Sequence, residues 1–245
     1  MSESQIFQIN SMEANSFYEE FGFAHFRSKS SSYFSIIDKC FKYYCSHQQY
    51  NTNIAFRSAD GKPKHIIDIF RDKNSDAFNV YSNNEVKSII KQNVSPNERF
   101  IFTHSKMSFK QIDSISNWQP HQDNGYKTKG DIREGFAIFI CLEDMNEENG
   151  CLQVWPGSNK LGLLAHSRVI EDKKTGDNQL YVQDLPDSMA PKSIIAKKGD
   201  IIIFSSNTIH QSLSSKSTSS RLSLIAEIES YNSLKTNSAF SLSLQ

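Results

Sequence analysis

The sequence predicts one mainly β domain with flanking α-helices in its first hundred residues. Three observations favour this fold class. Segments 12–21, 33–44 and 84–94 space their apolar residues at intervals of three and four, strand-like runs begin near residue 99, and turn-forming residues separate those runs. A chain of 245 residues fits a single β unit of this kind. We therefore expect one domain over residues 1–245, with 1–98 mainly helical support and connections and 99–230 as the core that carries the site.

The three candidate helices have recognisable ends. Gly22 follows the first one and can terminate it, because glycine readily adopts the left-handed backbone of a helix C-terminus. The third begins at an asparagine that can cap it, and Pro96 lies beyond its end. We expect these helices to support a sheet.

The strand candidates lie in the second half of the chain. They are segments 99–103, 136–142, 151–155, 193–196, 200–204 and 221–228. Turn signals separate several of them, namely Glu-Asn-Gly at 148–150, Pro-Gly-Ser at 156–158 and Lys-Gly-Asp at 198–200. This alternation of short runs and turns is typical of a β fold.

Charge and composition exclude several classes of function. Basic and acidic residues both number 27, so no net field draws the chain to nucleic acid or to an anionic membrane. No apolar run approaches the roughly 20 residues of a membrane span, and the N-terminus lacks a secretion signal. The four cysteines show neither zinc-site nor disulfide-framework spacing. We expect a cytoplasmic protein with reduced thiols that acts on a small molecule.

An imidazole and a carboxylate stand two residues apart at His121 and Asp123. In an extended segment both side chains point to the same face, which allows them to share one metal ion. His210 is the candidate third ligand, because it follows the strand-like segment 200–204 after a short connection. Two histidines and one carboxylate leave three positions open on iron, as in non-haem iron oxygenases.

Arg221 lies 11 residues beyond His210, at the start of a strand-like run. In period-2 geometry Arg221 and Ser223 share one face of this strand, and the apolar residues share the other. A buried guanidinium can bind a carboxylate through two parallel hydrogen bonds, and a serine hydroxyl can add a third. We therefore expect Arg221 and Ser223 to hold the far carboxylate of an oxoacid; a structural ion pair is the alternative for this arginine.

Four stretches together resemble the phytanoyl-CoA dioxygenase family of iron(II)- and 2-oxoglutarate-dependent oxygenases. They are Trp-Gln-Pro-His-Gln-Asp at 118–123, Glu-Asn-Gly-Cys-Leu-Gln-Val-Trp-Pro-Gly-Ser-Asn-Lys at 148–160, the segment from Lys198 to His210, and Arg221. They occur in the family's order and span roughly half the chain. Asn159 departs from the pattern, since a histidine is frequent at that position of the family.

The resemblance implies a double-stranded β-helix, a cupin-like jelly-roll barrel with flanking helices. It implies iron(II) held by His121, Asp123 and His210, with 2-oxoglutarate bound by Arg221 and O2 as the oxidant. In such enzymes the oxidation of a substrate, often a hydroxylation, is coupled to decarboxylation of 2-oxoglutarate to succinate and CO2. The substrate itself does not transfer, because one fold hosts many activities.

Further contacts are implied less directly. Gln122 and Ser212 match family positions that can touch the oxoacid. Lys110 or Lys106 could add a cation to the oxoacid site, although solvated surface lysines are the simpler interpretation of both.

The segment after Asp123 resembles a loop over the mouth of the site in this family, with Asn124, Tyr126 and Arg133 as candidate substrate contacts and a polar or anionic small molecule as candidate substrate. A solvated loop of mixed charge is the alternative for this segment. Trp118 and Trp155 are expected to pack in the core.

Two other classes of protein remain open. A non-redox metal enzyme of the same fold, such as an isomerase, would keep the three ligands but would not need Arg221. A catalytically silent ligand-binding protein would be free to lose a ligand, whereas this chain has all three candidates.

Overall fold

The computed structural model describes residues 5–46, 55–57, 63–92, 100–110, 117–127, 135–172, 177–217 and 219–230. The helices are α1 (Met12–Phe21), α2 (Ser31–Ser46), α3 (Ala77–Tyr81) and α4 (Asn84–Gln92). The strands are β1 (Ile6–Phe7), β2 (Phe23–Phe26), β3 (Ala55–Arg57), β4 (Pro63–Ile67), β5 (Phe100–Lys110), β6 (Trp118–His121), β7 (Gly135–Cys141), β8 (Leu152–Val154), β9 (His166–Asp172), β10 (Asp177–Val182), β11 (Lys192–Ser193), β12 (Ile201–Ser205), β13 (His210–Ser212) and β14 (Arg221–Ser230).

Two sheets form the framework of the fold. The larger has eight strands in the order β1-β2-β12-β7-β14-β5-β4-β3, and the smaller has four in the order β11-β8-β13-β6. Side chains from both sheets, among them Phe139 and Phe204 of the larger and Leu152 and Val154 of the smaller, pack in one buried cluster. The two sheets therefore face each other, and the space between them is the interior of the molecule.

The helices cover the outer face of the larger sheet. Tyr33, Ile37 and Cys40 of α2 share a buried cluster with the outward-facing Leu222 and Leu224 of β14. All three predicted helices are confirmed: α1 has the predicted bounds, α2 includes 33–44, and α4 begins at residue 84, with positions 93 and 94 outside the described residues.

Gly22 ends α1 as predicted. Its φ is +76°, and its N–H donates to the Tyr18 carbonyl at 2.7 Å. A Cβ at this position would lie 2.5 Å from both Asn159 Oδ1 and Thr208 Oγ1. The site therefore requires glycine both for its backbone conformation and for the close approach of these side chains.

The strand predictions hold for the second half, with shifts of one or two residues at most ends. Two segments differ more: the predicted 99–103 continues as β5 to Lys110, and the predicted 193–196 is shorter because β11 stops at Ser193. The first hundred residues contribute more than helices and connections, since β2 pairs with β12 and β4 pairs with β5 in the larger sheet. All four residues of β2 are buried, so it shows no alternation of apolar and polar residues that could have revealed it. Within the described residues, no helix combines the length and apolar character needed to cross a lipid bilayer.

Candidate metal centre

The three predicted metal ligands meet in the interior. His121 ends β6, Gln122 continues in extended conformation, and Asp123 follows on the same face. His210 begins β13 and is the register partner of His121 across the β6–β13 pair. Asp123 Oδ1 lies 3.8 Å from His121 Nε2 and 3.6 Å from His210 Nε2, and one donor atom from each residue falls within 4.8 Å of the others. Two imidazole nitrogens and a carboxylate oxygen so placed fit one iron(II) ion.

Backbone carbonyls orient both imidazoles. His121 Nδ1 lies 2.6 Å from the Gln119 carbonyl, and His210 Nδ1 lies 3.0 Å from the Thr208 carbonyl. A proton on Nδ1 leaves Nε2 with a lone pair that points toward Asp123. Burial, followed by the proximity of His210, lowers the pKa of His121 to about 3, and burial also lowers the pKa of His210. Both rings are therefore neutral at neutral pH, which is the form that binds metal.

Asp123 is a buried carboxylate. Burial by itself would raise its pKa, but His210, His121 and the lysines 106 and 127 hold the pKa of Asp123 below its ordinary value. The third donor is thus the ionised form that a divalent cation requires.

Arg221 and Ser223 lie on the inner face of β14, as the alternation predicted. The Arg221 guanidinium is 1% exposed, and Nη1 donates to the Gly150 carbonyl at 2.7 Å. Arg221 Nε and Ser223 Oγ are both buried without a hydrogen-bond partner, and no described carboxylate forms an ion pair with Arg221. Burial lowers the pKa of Arg221 to about 10, so the guanidinium still carries its charge at neutral pH. A buried cation with an unused donor fits an anionic ligand.

One cavity, partly open to solvent, joins the metal ligands to the arginine. His121, Asp123, His210, Ser212 and Arg221 all line it. Because the metal ligands and the guanidinium line the same cavity, one ligand could reach both.

The two lysines are not solvated surface residues, so that interpretation was wrong. Lys110 is 1% exposed, is the register partner of Arg221 and donates from Nζ to the Ser212 carbonyl at 3.4 Å. Lys106 lines the cavity, with Nζ 5.3 Å from the centre of the Trp118 ring. Neither position could be inferred from the sequence, because the alternation of β5 carries polar residues on the interior face.

Gln122 does not occupy the place expected of an oxoacid contact. Its Nε2 donates to the carbonyls of Gly162 (2.8 Å) and Asn207 (2.6 Å), and its Oε1 accepts from the Leu164 N–H (2.8 Å). The side chain is fully buried and is not among those that line the cavity. Gln122 therefore ties the β6 end to the segment that leads into His210 and to the 162–164 loop.

The candidate substrate contacts divide into three cases. Tyr126 is 43% exposed and stands edge-on to the His121 ring at 5.6 Å, beside the metal centre. Asn124 is buried, donates from Nδ2 to Asn207 Oδ1 at 2.8 Å and is not among the residues that line the cavity, so it supports the Asn207 loop. Arg133 lies outside the described residues.

The tryptophans were predicted to pack in the core. Trp155 does so, being 3% exposed in a small apolar cluster. Trp118 instead lines the cavity, where its ring lies 5.6 Å from that of His65.

Two interior residues were missed by the sequence analysis. His65 of β4 lines the cavity but comes from the segment assigned to helices and connections. Glu227 continues the inward-facing row of Arg221 and Ser223, and extending the same period-2 pattern by four residues would have found it.

The sequence and the fold both have known relatives. The phytanoyl-CoA dioxygenase family model matches residues 35–223. A protein of Arabidopsis thaliana named phytanoyl-CoA dioxygenase is 33% identical over 126 residues, which are 50% of this chain and 42% of that protein. A rice relative, phytanoyl-CoA dioxygenase 1, is 34% identical over 118 residues, 47% of this chain and 40% of its own length. The chain thus aligns with about two fifths of the length of these curated relatives.

Solved structures confirm the predicted jelly-roll fold. EctD from S. alaskensis, crystallised with 2-oxoglutarate and 5-hydroxyectoine, superposes with a TM-score of 0.73 at 13% identity over 91% of this chain and 77% of its own. EvdO2 from Micromonospora carbonacea var. aurantiaca, complexed with 2-oxoglutarate, gives a TM-score of 0.68 at 16% identity over 90% and 91%. In the part of the chain that the structure describes, the two sheets face each other without closing into a continuous barrel.

Proposed function

Because the chain belongs to the phytanoyl-CoA dioxygenase family, we propose that it is an iron(II)- and 2-oxoglutarate-dependent oxygenase that hydroxylates or otherwise oxidises a small molecule. One observation carries this proposal: a complete His-Asp-His ligand set and a buried arginine without an ion-pair partner among the described residues line the same cavity. The curated relatives are named as phytanoyl-CoA dioxygenases, which supports an oxygenase.

Each residue has a defined task in this reaction. His121, Asp123 and His210 would hold the iron, and Arg221 with Ser223 would bind the far carboxylate of 2-oxoglutarate. Lys110, beside Arg221, adds positive charge that favours this dianion. Iron(II), when bound, supplies the activation of O2 that is coupled to decarboxylation of 2-oxoglutarate to succinate and CO2. Burial of the ligands limits access of water to the reacting centre.

The two other classes fit less well. A non-redox metal enzyme leaves the cost of burying the Arg221 charge uncompensated, since the described residues give it one carbonyl and no carboxylate. A silent binding protein gives no reason for three buried donors to converge within metal-binding distance. A cytoplasmic location and a polar substrate remain predictions from the sequence.

An anaerobic titration tests the proposal. Iron(II) followed by 2-oxoglutarate should produce the visible charge-transfer band of a chelated oxoacid. In Arg221→Ala the oxoacid concentration at half-saturation should rise by about 10-fold or more, because a charge-assisted contact contributes roughly 1.5 to 3 kcal/mol. Arg221→Lys is the matched control that keeps the charge and loses the two-point contact. A metal-loaded wild type without a band would overturn the assignment, and an Arg221→Ala protein with unchanged half-saturation would place the oxoacid elsewhere.

A further inference from the structure

The inner face of β14 extends the site beyond Arg221 and Ser223, which are called the oxoacid clamp below. Arg221, Ser223, Ile225 and Glu227 alternate along one face of this strand. Arg221 and Ile225 line the cavity, and Glu227 is the next residue of the row, just beyond the residues that line it. Glu227 is the register partner of Ala137, which belongs to the cluster between the sheets. Glu227 therefore points into the interior, at the end of the row opposite to Arg221.

Glu227 is a carboxyl group without a partner. It forms no hydrogen bond or ion pair with any described residue, and its side chain is partly exposed. Burial, and then the proximity of Asp123, raises the pKa of Glu227 to about 7. Ala137 has Glu227 as its register partner on one side and Phe204 on the other, and the Phe204 ring lies 4.5 Å from the ring of His210, so Glu227 lies beside the metal centre. A partly buried carboxyl group is costly unless something compensates it.

Lys106 provides the opposite charge on the neighbouring strand β5, on the same face of the sheet as Glu227. It is the register partner of Ile225, so Lys106 and Glu227 are diagonal neighbours across β5 and β14, with Cα atoms roughly 7 to 8 Å apart. No described carboxylate lies within ion-pair distance of Lys106, and its Nζ lies over the Trp118 ring. The lysine and the glutamate are close enough to influence each other but do not form a pair.

The neighbouring charged groups are already engaged. Lys127 forms an ion pair with Glu229 at 2.5 Å, and Asp123 belongs to the metal ligands. His104, the register partner of Glu227, is neutral at neutral pH because burial and then Lys106 lower its pKa to about 4. Among the described residues on this face of the sheet, Lys106 and Glu227 are thus the cation and the anion that have no ion-pair partner.

We propose that Lys106 and Glu227 together recognise a zwitterionic small molecule, with Lys106 binding its carboxylate and Glu227 binding its amine. Such a molecule would lie beside the metal centre, on the side away from Arg221. This inference rests on the proposed oxygenase function and names the substrate class of that site. Because each of the two side chains meets a group of opposite charge, binding gives both unpaired charges a partner at once.

Three probes of matched length test the proposal: δ-aminovalerate (both charges), n-pentylamine (amine only) and valerate (carboxylate only). Binding is measured by ligand-observed saturation-transfer NMR on the zinc(II)-loaded protein, which supports no oxidation. N-oxalylglycine, an analogue of 2-oxoglutarate, is present at a saturating concentration so that it occupies the oxoacid site and the probes do not bind at Arg221. The variants are Glu227→Gln and Lys106→Met, which remove each charge at similar size, and Lys197→Met, which removes an exposed lysine paired with Asp144.

Wild type should bind δ-aminovalerate at least about 10-fold more tightly than either singly charged probe. Each of Glu227→Gln and Lys106→Met should weaken this binding by about 10-fold or more, as expected for loss of one charge-assisted contact, while Lys197→Met leaves it unchanged. Pentylamine should lose affinity only in Glu227→Gln, and valerate only in Lys106→Met.

Two results would overturn the inference: a wild type that does not prefer the zwitterion, or a preference that survives both substitutions. Failure of N-oxalylglycine itself to bind would instead refute the proposed function. The two failures are therefore distinguishable in one experiment.

Discussion

Replacing Gln122 by methionine should weaken metal binding without removing any ligand. The three side-chain hydrogen bonds of Gln122 join the β6 end to Gly162, Leu164 and Asn207, and all three are lost in this variant. At a net value of about 1 kcal/mol each, the free energy of unfolding should fall by about 3 kcal/mol. Because Asn207 lies three residues before His210, we also expect the two halves of the ligand set to lose their fixed spacing.

The assay measures metal affinity and oxoacid affinity separately. Titration with cobalt(II), followed by its visible absorption, should show affinity about 10- to 100-fold weaker than wild type, the usual cost of losing a group that orients metal ligands. With the metal site saturated, oxoacid affinity should stay within about 2-fold, because Gln122 does not line the cavity. Gln92→Met is the control, since Gln92 bonds to the Ser11 carbonyl on the helical side of the molecule. Unchanged cobalt affinity together with weakened oxoacid binding would show that Gln122 contacts the oxoacid after all.

Three further outcomes follow from the described contacts. Asp123→Ala should abolish substrate oxidation, measured as succinate release, while the thermal midpoint of the metal-free protein falls by no more than a few degrees; retained activity would refute the ligand set. Gly22→Ala should lower the free energy of unfolding in urea by at least about 1 to 2 kcal/mol, because alanine is strained at φ +76° and its Cβ would meet Thr208; an unchanged midpoint would contradict this. Burial alone would raise the pKa of Asp200, but Arg27 and a buried histidine hold this pKa below 3.8. The ionised Asp200 therefore stabilises the fold above pH 3.8, and this stabilisation is lost as the pH falls through the pKa of Asp200 in the folded protein. In Asp200→Asn, the free energy of unfolding should accordingly depend less steeply on pH below about 4. An unchanged pH dependence in this range would refute the role of Asp200.

The sequence was informative wherever one periodicity decided the outcome. His121 and Asp123 share a face because their segment is extended, and Arg221 and Ser223 share a face because β14 alternates strictly. The helices α1, α2 and α4 were equally visible, since their apolar residues face a single sheet, whereas the five-residue α3 was not predicted.

Other features depend on contacts between distant segments, which a single sequence does not show. The burial of Lys110 follows from its pairing with Arg221, 111 positions along the chain. Gln122 could not be separated from an oxoacid contact until its partners at Gly162 and Asn207 were known. β2 is buried on both faces because helices cover one side and the interior lies on the other, and this removes the alternation that identifies a half-buried strand.

The metal ligands and the oxoacid clamp belong to different sheets. His121 and His210 lie in the smaller sheet or at its edge, whereas Arg221 lies in the larger one. On the proposed function, the thickness of the packing between the sheets, set by residues such as Phe139 and Leu152, determines how many methylene groups an acceptable oxoacid has. Selectivity among dicarboxylic co-substrates of different chain length is therefore a property of core volume, and it can change through substitutions that touch neither the metal nor the guanidinium.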